Sequence, residues 1–218
     1  MFDVNGGTLT VKNGTIEYEH TGENMGWSNS TNLFNVTAGG VLNLEGVTAR
    51  NLGGSDMAFV AHLNNWGEVT LNVDNCVLES VYIPVRVFNS GNHMNNVTIK
   101  NTTLKGANYA FWVHNYTVAD FGTQERADAQ KALLNFDIFG NGNTFIAAKS
   151  AVRLGFTNEI FVDENGVEFI PVSTPEQLSA ALAAGQNVAL TSDVDITKID
   201  LTSVADDVVI DANGHKIT

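Results

Sequence analysis

The sequence predicts an all-β fold, a parallel β-helix in which short coils stack as a solenoid, and three observations predict it. Apolar residues alternate with Thr, Asn or Asp in LTVKNGTI (9 to 16), LNLEGVT (42 to 48), LNVDNCVL (71 to 78) and VTIKNTTL (97 to 104), each a short strand running into a polar bend. A second series lies between them: LFNV, AFVAHLN, PVRVFN, AFWVHN and AVRLG. Units of this size cannot bury their own apolar face and must stack on neighbours.

Taking Val11, Leu44, Val73 and Ile99 as equivalent gives separations of 33, 29 and 26 residues, and LLNFDIFGN suggests Phe136 as a fifth member. Such unequal spacing suits exterior loops, because doubling a loop costs only about 0.6 kcal/mol. A β-sandwich is the rival; it predicts antiparallel pairing and no equivalence among these residues. Asn tolerates left-handed corners, and Asn75 and Asn101 are placed to form a short amide ladder between coils.

Residues 118–132 interrupt the pattern as a polar helical excursion, and the coils are expected over 1–157. EIFVDENGVEFIPV reads as a hairpin or linking ribbon over 158–172. In STPEQLSAALAAG, Ser173 or Thr174 caps a helix, Pro175 sits in its first turn and Gly185 ends it. Residues 173–218 then form a cap helix and the first coil of a following or adjacent β-helix.

The segments TPEQLSAALAAGQNVALTSDVDIT and VVIDANGHKIT resemble the opening of pectate-lyase-like right-handed parallel β-helix domains of bacterial surface and secreted repeat proteins or phage fibres. That resemblance implies a single-stranded right-handed solenoid, a short capping helix in the C-terminal segment, and a location outside the cell or on its surface, with a phage particle as alternative. It selects no activity, since one scaffold carries lyases, hydrolases, adhesins and inert modules. FDVNGGTLTVKNGTI looks like the continuation of a first coil, so the cap and its continuation stand at opposite ends of the chain. Phe2, Val4 and Leu9 at one end and Leu178, Leu182, Val209, Ile210 and Ile217 at the other are the expected assembly residues, joining copies head to tail into a filament, folding back within one chain, or continuing into a longer array.

The chain has 218 residues, with 24 Asp+Glu against 11 Lys+Arg and a net charge of −13. This excludes phosphate-backbone binding, which needs clustered cations, and no apolar run suggests a signal peptide or a membrane span. Cys76 is the single cysteine. Glu45, Asp74 and Asp137 alternate with Lys12 and Lys100 at one repeat position; Asp74 and Lys100 are the candidates if the protein is a polysaccharide lyase or hydrolase, and a solvated charge ladder is the simpler reading. His62 and His114 end matching strands, with Val87 at that place between them, and lack metal-site spacing; His20, His93 and His215 fall in polar turns. The DENGVE stretch lacks the spacing of a calcium loop, so neither a metal nor another cofactor is expected. Arg86 and Arg153 share matching contexts and suit a carboxylate-bearing ligand or, equally, an ion pair with a neighbouring acid. Trp66, Tyr109, Trp112 and Tyr116 are core or interface residues where they point inward and, where they point outward, the candidates for stacking on sugar rings in a carbohydrate-binding module, with surface polysaccharide as partner. The leading expectation is a noncatalytic structural or adhesive module.

Overall fold

A computed structural model describes residues 2–19, 31–53, 57–197, 204 and 207–218. The elements of the first half are β1 (Phe2–Asn5), β2 (Thr8–Tyr18), β3 (Thr31–Thr37), β4 (Val41–Asn51), β5 (Ala58–Asn64), β6 (Val69–Asp74), β7 (Val77–Ser80), β8 (Val85–Phe88), β9 (Asn95–Lys100), β10 (Thr103–Lys105) and β11 (Tyr109–Val113). Two helices follow, α1 (Val118–Phe121) and α2 (Gln124–Lys131), then β12 (Leu134–Asp137), β13 (Thr144–Ile146), β14 (Ser150–Leu154), β15 (Ile160–Val162), β16 (Glu168–Val172), α3 (Pro175–Ala183), β17 (Val188–Leu190) and β18 (Ile210–Asp211).

The strands form two sheets. One has ten strands in the order β1-β3-β5-β8-β11-β14-β15-β16-β17-β18; the other has eight, in the order β12-β9-β6-β4-β7-β10-β13 with β2 also on β4. Alternation along each strand sends one set of side chains into the space between the sheets. Val11 pairs with Leu44, Leu44 with Val73 and Val73 with Ile99, all in parallel strands, as their sequence equivalence predicts. Phe136 does not continue that rung: it lies opposite Val97, two residues earlier, though still toward the core.

The eight-stranded sheet curls where β4, one of its two 11-residue strands, carries a bend. The first part of β4 pairs with β6 and the second with β7, and between them Gly46 has φ +61, where a Cβ would lie 2.8 Å from Asn13 Oδ1. Asn13, Asn75 and Asn101 are also left-handed, with φ 54, 53 and 49, conformations that Gly and Asn adopt most easily. The expected amide link between Asn75 and Asn101 is replaced by a bond from Asn101 Nδ2 to Asp74 Oδ1 at 2.9 Å. Side-chain ladders form elsewhere, from Asn72 to Asn43 to Thr10 and from Asn135 to Asn96.

The expectation of a pectate-lyase-like, single-stranded right-handed β-helix solenoid is corrected by three findings. Parallel pairing is interrupted after β14: β15 joins β14 antiparallel and β16 joins β15 antiparallel before the parallel order resumes at β17, which makes the ten-stranded sheet mixed. Among the described residues, three helices and a branched, curled second sheet replace a uniform stack. The accessible surface of 10320 Å² is close to the roughly 9700 Å² expected of a compact monomer of this mass. The repeated phrases report which face each strand buries, and that information is local; it does not require the pattern to run the length of the chain.

Head-to-tail tiling into a filament is corrected as well. β17 and β18 extend β16 in parallel within the chain's own sheet, so these C-terminal strands are joined to the edge opposite β1. Leu178 and Leu182 are buried with Val172, Val188, Leu190 and Val194 beneath α3. Thr174 and Gln177 cap that helix reciprocally, which meets the orphan N–H groups of its first turn. Of the other expected assembly residues, Val4 is buried and Leu9 half-buried, while Phe2, Val209, Ile210 and Ile217 are exposed. Phe2 stacks on Phe34 at 5.3 Å.

Candidate functional site

The outer face of the ten-stranded sheet is where the chemistry gathers. Its parallel register places Asp3, Asn35, His62, Arg86, Trp112 and Arg153 in one row across consecutive strands, and the antiparallel joins continue the row to Phe161 and Phe169. Arg86, not Val87, is the residue between His62 and Trp112. Most of this row is buried: Trp112 and Phe59 are fully enclosed, and Arg86 and His62 nearly so. They form a second core with Met57, Ile83, Tyr109, Phe161, Phe169 and Ala189.

Trp112 stands between two guanidinium groups, with Arg86 Cζ 5.1 Å and Arg153 Cζ 4.8 Å from its ring, and donates Nε1–H to Gly155 O at 3.0 Å. Arg86 also lies over Phe59 and Phe88. Burial pulls the Arg86 pKa down to about 10. Burial and the Arg86 charge together push His62 down to about 3 and His114 to about 4, so both imidazoles are neutral near pH 7. The expectation of a flat structural or adhesive module is overturned here. A buried aromatic cluster threaded by two arginines and a polar network is the architecture of a folded pocket, not of a repeat wall.

Beyond Trp112 this face opens into a cavity of about 670 Å³ whose lining includes Lys149, Arg153, Asn158, Glu159, Gln177 and His215. Tyr109 lies next to three of these lining residues: Arg153 Cζ lies 5.5 Å and Lys149 Nζ 5.7 Å from the ring, and the hydroxyl donates to Glu159 Oε1 at 3.4 Å. Burial, followed by the Glu159 charge, raises the Tyr109 pKa and keeps the phenol a donor. Arg153 Nε and Glu159 Oε2 are 2.5 Å apart as an ion pair. Both atoms are buried from solvent. Among the described residues no carboxylate pairs with Lys149. His215 is held by Asp193 at 3.5 Å.

The short β14–β15 connection brings Glu159 back over Arg153. Asp120 anchors that connection by accepting from the backbone N–H groups of Phe156 and Thr157 as well as those of Tyr116 and Thr117. Burial pushes the Asp120 carboxyl up, but these donors outweigh it and hold the pKa below the usual value.

The residues expected from sequence are dispersed. Tyr109 and Trp112 meet beneath Arg153, as a bed for a cation instead of a platform for a sugar. Trp66 is exposed between β5 and β6. Tyr116 is half-buried under Lys131, which lies 4.3 Å from its ring, and donates to Glu168 at 3.3 Å; burial pushes its pKa up to about 12. Asp74 and Lys100 are neighbours in register on the eight-stranded sheet, beside a depression of about 190 Å³. Lys100 is 3.7 Å from Asp137 and Lys12 2.7 Å from Glu45, a row of exposed ion pairs of the kind that contributes little to stability. His20 lies outside the described residues. Glu159 and Lys149 carry no sequence signal of their own: they matter because the fold sets them on either side of Arg153, whose matching context with Arg86 is the one clue in the sequence.

Among the described residues no group of three or more His, Cys, Asp or Glu side chains converges as a metal site, and no helix is long and apolar enough to cross a membrane. A scan against protein-family models, a search of characterised proteins and a search of solved structures each returned no match.

Proposed function

We propose that this domain binds an acidic carbohydrate in the cavity above Arg153 and Glu159. The observation that carries the reading is the Lys149–Arg153–Glu159 constellation over the Tyr109 ring. It combines an ammonium without a carboxylate partner among the described residues, an adjacent Arg153–Glu159 ion pair, and surrounding amides and hydroxyls from Asn158, Gln177, Asn213, Ser173 and Thr191. A uronic acid matches this set: its carboxylate suits Lys149, its hydroxyls suit Glu159 and the amides, and its apolar ring face suits Phe156 or Phe161. The volume is within the range of small-ligand sites. Cationic groups gathered on a chain of net charge −13 favour an anion at that place over the rest of the surface.

The reading is binding and not hydrolysis because Glu159 is the one carboxylate among the described lining residues, whereas glycoside hydrolysis ordinarily uses two. Calorimetric titration with uronate-containing and neutral oligosaccharides of equal length tests it. Uronate binding, weakened tenfold or more by Lys149→Gln, is the expected result. Equal affinity for both classes, or none for either, overturns the reading; new unsaturated or reducing ends in the same samples would convert it to an enzyme.

A further inference from the structure

The polar cavity does not end at its own wall. Asn158, Glu159, Pro171 and Gln177 also line a second cavity of about 530 Å³, so the two chambers share one rim. The second chamber lies among α1, the β15–β16 ribbon and α3, and its lining is largely aliphatic: Val118, Ile160, Ile170, Val172, Ala180 and Ala181. Ala180 and Val118 are exposed in the free protein.

We infer that the ligand is amphiphilic: an acidic sugar bearing an alkyl or acyl substituent, with the sugar over Arg153 and the aliphatic chain in the chamber walled by α3. This rests on the binding reading above and adds the class of substituent. Three observations lead to it. The chambers adjoin at four shared residues, which sets the polar and aliphatic walls within reach of one molecule. Their chemistry changes at that rim, from charged and amide groups to aliphatic ones. Water among aliphatic walls lacks the two to four polar partners that hold an ordered water, so a chain displacing it gains apolar burial without losing hydrogen bonds.

The inference is tested with methyl β-D-glucuronide, octyl β-D-glucuronide and octyl β-D-glucoside, all below micellar concentration, on the intact protein and on Ala180→Trp. That substitution fills the aliphatic chamber from the exposed side of α3, while residue 180 is not part of the polar lining. Each methylene transferred from water is worth about fourfold in affinity. Octyl glucuronide is therefore expected to bind at least tenfold more tightly than methyl glucuronide, and Ala180→Trp to remove that gain while leaving methyl glucuronide unchanged. If methyl glucuronide binds and the octyl chain adds nothing, or adds affinity that Ala180→Trp leaves intact, the inference is wrong and the acidic-sugar reading stands. If octyl glucoside binds as tightly as octyl glucuronide, or no glycoside binds, the acidic-sugar reading fails and takes the inference with it. Circular dichroism and thermal melting of Ala180→Trp establish that the variant is folded, and Ala181→Leu, at a buried position on the same lining, provides a second, smaller obstruction with the same expected direction.

Discussion

Leu9 and Leu42 face each other across β2 and β4, which allows one chemical change to be made at two burials. Leu42 is fully enclosed between the sheets, whereas Leu9 packs on the same core from β2, a strand that borders β4 alone, and remains half-buried. Leu→Ala removes three carbons, worth about 2.4 kcal/mol at about 0.8 kcal/mol for each. At Leu42 the neighbouring rung, Leu71 and Val73, is tied into parallel ladders and relaxes little, so a cavity adds to the loss and the total is about 3 to 4 kcal/mol. At Leu9 part of the side chain is already in water and the site collapses toward solvent, leaving about 1 kcal/mol. For a chain of this size that corresponds to a fall in Tm of about 10 °C at Leu42 and about 3 °C at Leu9. Urea denaturation monitored by far-ultraviolet circular dichroism checks the ratio, with m unchanged as the condition for comparing midpoints. Equal losses at the two sites, or a larger one at Leu9, would refute the reasoning, because either requires Leu9 to be as enclosed as Leu42.

Asp120 has a folded pKa below its ordinary value, so its contribution to stability is complete above that ordinary value and is lost as pH falls through the folded one; thermal melts of Asp120→Asn should start about 2 kcal/mol lower and show a flatter decline below about pH 4. His62 and His114 act in the same direction, as buried bases: with folded pKa values of about 3 and 4 the unfolded chain binds more protons below about pH 6.5. Stability should therefore fall from pH 6.5 toward pH 4, and the His62→Gln, His114→Gln double variant should show a shallower slope over that interval. Asn65 is fully buried, donates to Asn89 Oδ1 and His93 O, and accepts from Ser90 and Gly91 N–H. Asn65→Ala should cost about 2 to 3 kcal/mol and speed hydrogen exchange at Gly91; an unchanged Gly91 amide would show that this network does not hold the loop.

The local side-chain code is legible in the sequence without any structure. Alternation around Val11, Leu44, Val73 and Ile99 is enough to place them on inward faces, and their neighbours' near-identical phrases are enough to align them in parallel. Thr174, Pro175 and Gln177 specify a helix start within four residues, because the groups that satisfy its free N–H donors are themselves local. Asn13, Asn75 and Asn101 mark left-handed bends for the same reason. Tertiary packing, by contrast, settles what covers the opposite face. Trp112 alternates to the side opposite Phe111 and Val113, and the sequence leaves open whether that side is core or interface or a sugar platform; burial is decided only once the register sets Arg86 and Arg153 beside it and Tyr109, Phe59 and Phe161 around it. The junction after Leu154 was equally out of reach. A hairpin over residues 159–172 is legible as a hairpin, but whether its first strand ends a solenoid or pairs antiparallel with β14 depends on which sheet edge is free when it forms. That choice sets Glu159 over Arg153, carries the C-terminal strands onto the same sheet, and creates the cavity between them. Alternation with period two is a property of one strand, whereas a pocket is a property of strands distant in sequence, and no single strand's pattern contains it.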